Sequence, residues 1–138
     1  MITNPAVALT AMLMSNTVIT GLVGKMNGGT IPFIKHGIIS ESEGNLPAIG
    51  FYLNSGDTTQ CLNDYRFTVN CYAGNSPNMF DASEKSLELA MAIVSEFNEA
   101  NSGIDGYNAR TTCSIIFSLP DPNGKQVNTP IDFRIVNI

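Results

Sequence analysis

Residues 64–73, DYRFTVNCYA, alternate between apolar and polar side chains, and no other stretch of the chain constrains the fold as strongly. Successive side chains of a β-strand point to opposite faces of a sheet, so the alternation predicts a strand with one face on a core. The side chains predicted on the inner face are Tyr65, Phe67, Val69 and Cys71. We therefore expect Phe67 and Cys71 to be buried.

Residues 80–101 have the period of an amphipathic helix. Asp81 is followed by Glu84 three residues later, which is typical of an N-cap with a capping box. The apolar residues, which cover roughly half of the helix circumference, are Leu87, Leu89, Ala90, Met91, Ile93, Val94 and Phe97. A stripe this wide predicts a contact with the N-terminal helix or a neighbouring subunit in addition to the sheet.

The N-terminal part of the chain predicts two helical segments and a long loop. Asn4 and Pro5 are typical of the start of a helix, and Asn16 of the cap of a second short helix over residues 17–24. Residues 25–46 contain several glycines around the apolar stretch IPFIKHGII. Because glycine-rich segments lose much conformational entropy on ordering, we expect this loop to bind a partner and to become ordered only there.

Further strands are predicted on both sides of the long helix. Residues 47–54, PAIGFYLN, are a short apolar strand that ends at the turn residues SGD. Residues 109–119 and 126–138 predict a hairpin around the turn residues PDPNGK. The side chains expected on its inner face are Cys113, Ile115, Phe117, Ile131, Phe133 and Ile135.

The resulting element order, α-β-β-α-β-β, is typical of an α+β fold. We expect an antiparallel sheet of about four strands, with the N-terminal helix and the central amphipathic helix on one face. The length fits a single domain, 1–138, with the long loop at 25–46. The last strand ends in DFRIVNI, with apolar residues on both faces, and we expect it to be an open edge of the sheet.

The sequence contains no constellation typical of catalysis, cofactor binding or metal binding. The glycine-rich stretch 21–30, GLVGKMNGGT, has Ile19 and Met26 where a phosphate-binding loop requires glycine and Ser or Thr. His36 is the only histidine, and the three cysteines lack the C-x-x-C spacing of a zinc site. We therefore expect a protein that is not an enzyme and binds no cofactor.

Charge and hydropathy narrow the possible partners. Charged residues make up 14% of the chain, well below the roughly 25% of an average domain, and the formal net charge is −5. The few Lys and Arg residues are scattered along the sequence, which does not favour tight binding of a phosphate backbone. The N-terminus lacks the basic region of a signal peptide, and its apolar run is too short to span a membrane. We expect a product of the cytoplasm with reduced thiols.

The order of the segments resembles that of the tail terminator (tail completion) proteins of long-tailed bacteriophages. The resemblance is carried by AMLMSNTVITGLVGKM, LPAIGFYLNSG, YRFTVNCYAGNSPNMFDASEKSLELAMAIVSEF and the C-terminal hairpin. In that family an N-terminal helix ends in an apolar segment resembling ITGLVG, and a strand begins at a proline, as at Pro47. A strand resembling FTVNCYA then leads through a short loop into an amphipathic helix.

The resemblance implies a structural virion protein at the tail neck, made in the host cytoplasm. Such proteins form a hexameric ring that caps the tail tube protein and joins it to the head-side connector or stopper protein. DNA passes through the ring without specific binding, and no catalytic residue carries over. We expect the contacts with subunits or partners to come from the 25–46 loop and the last strand, through Ile34, Lys35, His36, Ile38, Ile39, Arg134, Val136 and Ile138.

Two other functions stay open on the sequence alone. The chain also fits another neck or tail-tube subunit, which differs from a terminator only in its neighbours. It further fits a small-molecule-binding or enzymatic α+β domain in which residues 25–46 form a lid over a pocket. The mass in solution separates the ring from the lid, because the lid requires no assembly.

Overall fold

The described residues of the chain form a mixed β-sheet with three α-helices packed on one face. The structure is a computed structural model and describes residues 4–57, 63–74, 79–104, 107–117, 119–120 and 126–137. The helices are α1 (Pro5–Ser15), α2 (Thr17–Leu22) and α3 (Met79–Phe97), with a short 3₁₀-helix at Glu41–Glu43. The strands are β1 (Ile34–His36), β2 (Ala48–Asp57), β3 (Asn63–Gly74), β4 (Ala100–Ile104), β5 (Tyr107–Ile115), β6 (Leu119–Pro120) and β7 (Gln126–Asn137).

The strand order is β1-β2-β3-β7-β5-β4, and β6 pairs with β7 beyond the end of β5. β1 and β2 are parallel, and the other neighbours are antiparallel. The predicted α+β class is confirmed, although the sheet has more strands than expected because β1 and β4 extend it on both sides. The prediction that the last strand is an open edge is wrong, because β7 pairs with β3 on one side and β5 on the other.

The main core lies between the helices and the inner face of the sheet. In β3 the predicted inner residues are all buried, as are the predicted inner residues of β7. Those residues are Tyr65, Phe67, Val69, Cys71, Ile131, Phe133 and Ile135. Cys113 of β5 is also buried, but Phe117 is 50% exposed, so its prediction as a core residue is wrong. β5 ends at Ile115, and the alternation therefore does not continue to Phe117.

The first two helices begin where their caps predict. The side chains of Asn4 and Asn16 each accept a hydrogen bond from the backbone N–H three residues later. The second helix ends at Leu22, slightly before the predicted residue 24. The N–H of Gly24 instead donates to the carbonyl of Pro47 at 2.8 Å, which ties the helix end to the start of β2.

Helix α3 differs from its prediction at both ends. It begins at Met79, so Asp81 lies in the first turn and not at the N-cap, and it ends at Phe97 because β4 begins at Ala100. The hydroxyl of Thr111 donates to the carbonyl of Phe97 and fixes this end against β5. The buried side of the helix consists of Ala82, Ser86, Leu89, Ala90, Ile93 and Phe97. Leu87 and Met91 of the predicted stripe are exposed, so they do not pack on the sheet of this chain.

The segment 25–46, predicted as a long loop, contributes β1 and a short 3₁₀-helix and packs against the body of the protein. β1 extends the sheet beside β2, and Phe33 and Ile39 form a second apolar cluster with Ala48. A side chain at Gly44 would lie 2.7 Å from the Phe33 ring and 2.6 Å from the Lys25 carbonyl oxygen, so the chain passes too closely there for any larger residue. Burial of Phe33 and Ile39 offsets the entropy cost of ordering the glycines.

Candidate interaction surface

The face of the sheet opposite the helices carries polar side chains over its central strands. We call it the open face and define it by the outward residues of β3, β7 and β5. They are Asp64, Arg66, Thr68, Asn128, Asp132, Arg134, Val136, Arg110, Thr112 and Ser114. Asn70 and Tyr72 point to the same side, but Asn70 is buried and Tyr72 packs with the cluster of Phe33, Ile39 and Ala48. Arg66 is paired with Arg134, and Arg134 with Thr112, so residues far apart in sequence form one row across the sheet.

All three arginines of the chain, Arg66, Arg110 and Arg134, lie on the open face. Arg134 donates two hydrogen bonds to the carboxylate of Asp64, at 2.8 and 2.7 Å. These bonds lower the pKa of Asp64 and raise that of Arg134. Arg110 donates to the amide oxygen of Asn101, at 3.4 Å. Within the described residues, Arg66 and Arg110 thus have no carboxylate in ion-pair contact.

A groove of about 450 Å³ crosses the open face from β2 to β5. The side chains of the open face and of its two borders that line it are Asn54, Ser55, Arg66, Asn98, Thr112, Ser114, Asp132 and Arg134. Asn54 donates to the hydroxyl of Thr68 at 2.6 Å, which fixes the amide at the β2 end of the groove. The lining combines charged groups with hydroxyl and amide groups, so it can donate and accept hydrogen bonds along its length.

The sheet has two open edges in its described part. β1 pairs only with residues 49–51 of β2, and no described strand pairs with residues 52–57 on that side. Tyr52 and Leu53 on this segment are 47% and 41% exposed. On the opposite side of the sheet, β4 is the outermost strand. These two stretches, 52–57 and 100–104, are called the β2 edge and the β4 edge.

A side chain binds the edge of β5 just beyond β4. β4 pairs with β5 only as far as Thr111. At the next position on that edge, the Oδ1 atom of Asn98 accepts a hydrogen bond from the N–H of Cys113 at 3.1 Å. The amide side chain of Asn98 thus occupies one hydrogen-bonding position of β5 beyond the end of β4.

The predicted interface residues in segment 25–46 differ in their exposure and in their contacts. Ile34 and Ile39 are buried and offer no surface to a partner, whereas Ile38 is 83% exposed. Lys35 forms an ion pair with Glu43 at 2.7 Å, and His36 stacks on the Phe51 ring with centroids 5.3 Å apart.

Of the predicted interface residues in the last strand, Arg134 and Val136 lie on the open face, in the middle of the sheet, while Ile138 lies outside the described residues. β2 and β3 separate this strand from β1, so the predicted residues do not form one patch.

The two open edges and the groove were missed from the sequence. The β4 edge, ANSGI, has no apolar alternation, and its first two residues were included in the predicted helix. The residues SGD were interpreted as a turn, but they continue β2 to Asp57 after a bulge between Leu53 and Ser55. The polar residues that alternate with the core in β3 and β5 are the signal that indicates the open face.

The described thiols lie in the core. Cys71 and Cys113 are unpaired, and burial raises the pKa of both, that of Cys113 to about 12. Cys61 lies outside the described residues. Among the side chains that the structure describes, no group of three or more His, Cys, Asp or Glu residues is placed to hold a metal ion.

Comparisons with known proteins identify no relative of this chain: no family model, no curated protein and no solved structure matches it. In the described part of the chain, no helix combines the length and the apolar character needed to cross a membrane.

Proposed function

We propose that this protein is a structural subunit of a long-tailed bacteriophage, located at the tail neck, and that it forms a hexameric ring on the end of the tail tube. The observation that carries the proposal is the pair of open edges on opposite sides of one sheet, the β2 edge and the β4 edge. The resemblance of the sequence to tail terminator proteins supports the same role. The same resemblance supports the tail tube protein and the head-side connector as the partners of the ring along the tail axis. It further supports passage of DNA through the ring without specific binding.

Two different edges on one chain favour a ring. An exposed strand presents unpaired N–H and C=O groups that pair readily with another strand. The β2 edge of one copy and the β4 edge of the next form a heterologous contact, which closes into a ring when the rotation between copies divides the circle. The exposed Tyr52 and Leu53 add apolar area to this contact. β7 is not an open edge, so the edge-to-edge ring that we propose is formed by the β2 edge and the β4 edge instead.

The proposal is tested by assembling tail tube subunits with and without this protein and measuring tube lengths by electron microscopy. The wild type is expected to bind tube ends and stop elongation. Leu53→Lys places a charge on the β2 edge and is expected to abolish this activity. Val18→Lys is the control, because Val18 on α2 is 49% exposed, similar to Leu53 at 41%, and lies on neither open edge.

The outcomes distinguish the alternatives within the virion. Incorporation of this protein along the whole tube, instead of at its ends, would indicate a tube subunit and contradict a terminator. Equal loss of activity in Leu53→Lys and Val18→Lys would contradict the edge contact.

A second candidate function, binding of a small molecule, has the groove as its only specific support. Its volume lies within the usual range for ligand sites, roughly 300–1,000 Å³. Residues 25–46, the lid of this alternative, are not among the residues that line the groove in this structure.

A further inference from the structure

Helix α3 has an apolar flank that the fold leaves exposed. Leu87 and Met91 are four residues apart and therefore lie on one side of the helix, where they are 39% and 58% exposed. The opposite side of α3 faces α2, since the carboxylate of Glu96 accepts a hydrogen bond from Asn16, the N-cap of α2, at 3.1 Å. The flank with Leu87 and Met91 thus faces the border of the sheet that carries β5 and β4.

The end of β5 adds apolar side chains at the same border. β4 pairs with β5 only as far as Thr111, so the last part of β5 has no described strand on its outer side. Ile116 and Phe117 directly follow β5, and both are exposed. We call Leu87, Met91, Ile116 and Phe117 the β4-side patch.

The other border of the sheet carries a second apolar set. Tyr52 and Leu53 are exposed on the β2 edge. The exposed Ile38 lies two residues after the end of β1, whose last residue pairs with Phe51. We call Ile38, Tyr52 and Leu53 the β2-side patch. Seven of the ten large hydrophobic side chains that are exposed in the described part of the chain belong to these two patches, so the exposed apolar surface is concentrated beside the two open edges.

The strand edges alone are too small for a stable contact. β4 has five residues, and the open part of β2 spans residues 52–57. A specific, stable interface involves about 20–30 residues of each partner and has an apolar centre. A stable contact between two copies therefore requires hydrophobic residues beyond the strands on both borders. The two patches supply them.

The ring places these patches on the same side of the sheet. Neighbours in a six-membered ring differ by a rotation of about 60°, whereas helices on opposite sides of a shared sheet would require a half-turn. Leu53 alternates with the buried Phe51 and so points to the side of the helices. It therefore faces the side on which α3 of the next copy presents Leu87 and Met91.

We propose that the β4-side patch of one copy packs on the β2-side patch of the next copy and forms the apolar centre of their contact. A second copy of this chain is the partner, because its β2 border carries a matching apolar set beside a matching open edge. The inference rests on the proposed ring, and it adds α3 to a contact that otherwise consists of two strand edges.

Native mass spectrometry of full-length variants, alone and with tail tube subunits, tests this contact. Met91→Lys is expected to raise the protein concentration needed for half-maximal assembly by about tenfold or more, because the contact would bury an unpaired charge. Met91→Leu keeps the apolar surface and is expected to assemble like the wild type. Val18→Lys is the control for an added charge, because Val18 is exposed on α2 and belongs to neither patch. Circular dichroism verifies that each variant is folded.

Charge pairs across the contact separate this inference from the ring itself. Leu53→Glu combined with Met91→Lys places opposite charges on the two patches and is expected to assemble better than either single variant. Leu53→Lys combined with Met91→Lys places like charges there and is expected to stay monomeric. If Met91→Lys assembles like the wild type, the inference is overturned and the ring remains. An equal loss in Val18→Lys, or equal assembly of the two double variants, also overturns it. A wild type that assembles in neither condition overturns the ring together with this inference.

Discussion

Asp64 of β3 and Arg134 of β7 form a bidentate ion pair across two neighbouring strands, with distances of 2.8 Å from Nε to Oδ1 and 2.7 Å from Nη2 to Oδ2. Arg66, and not Asp64, lies directly opposite Arg134 in the strand register, so the pair is diagonal. Asp64 therefore reduces the repulsion between the two arginines. This contact allows three arginines to share one face of a small sheet.

The ion pair predicts a specific pH dependence of stability. Because the pKa of Asp64 is lower in the folded than in the unfolded protein, its stabilising effect is present above the ordinary value of 3.8 and is lost as the pH falls through the folded value. At pH values above 3.8, Asp64→Asn is expected to lower the free energy of unfolding. The expected loss is at most about 1 kcal/mol, because the ion pair is partly exposed. Urea unfolding at a series of pH values measures this. The difference from the wild type is expected to disappear at low pH, and Asp132→Asn on the same face is the control.

Two phenylalanines that the sequence predicted as core residues are expected to differ in their contribution to stability. Phe67 is fully buried, so Phe67→Ala is expected to cost about 3–5 kcal/mol. Phe117 is 50% exposed, so Phe117→Ala is expected to change stability by only about 0.5 kcal/mol. Chemical denaturation of both variants measures the two values. A cost for Phe117→Ala close to that for Phe67→Ala would mean that the end of β5 packs differently.

Adjacent isoleucines test whether the 25–46 segment belongs to the fold. Ile39 is 7% exposed and packs with Phe33 and Ala48, so Ile39→Ala is expected to cost about 2–5 kcal/mol. Ile38 is 83% exposed, and Ile38→Ala is expected to stay within about 0.5 kcal/mol of the wild type. The melting temperatures of the two variants, measured by calorimetry, provide the comparison. Equal melting of both variants with the wild type would restore the original expectation that the segment orders only on a partner.

The thiols provide an independent test of the core. In a Cys61→Ser variant, Cys71 and Cys113 are the remaining cysteines, and both are buried with raised pKa values. A thiol reagent at neutral pH is expected to label neither of them in the native state and both in urea, because the thiolate is the reactive form. Rapid labelling before unfolding would contradict the position of β3 or β5 in the sheet.

The parts of the fold that the sequence predicted are those in which one local signal determines the structure. The alternation of β3 and the caps at Asn4 and Asn16 are read directly from neighbouring residues, and the structure confirms them. The strand order could not be predicted from such local signals, because it depends on which strand pairs with the second edge of β7. No local pattern in DFRIVNI indicates that β3 takes this edge. The apolar stripe of α3 likewise did not indicate which of its residues pack on the sheet, since Leu87 and Met91 are exposed and Leu89 and Ile93 are buried.

The candidate surface was harder to predict for a similar reason. Arg66, Thr112 and Arg134 are far apart in sequence and become one row only through the register of three strands. The β2 edge depends on the short length of β1, which leaves residues 52–57 without a neighbour among the described strands. The glycines of segment 25–46 predicted a loop. In the structure, Phe33 and Ile39 of this segment are buried and hold it against the sheet.

Native mass spectrometry of the protein, alone and with tail tube subunits, shows whether the chain forms a ring edge to edge. We expect a closed assembly with a mass of about six times 14.8 kDa. We also expect Leu53→Lys to reduce this assembly to monomers and Val18→Lys to retain it. A wild type that stays monomeric both alone and in the presence of tube subunits would contradict the ring.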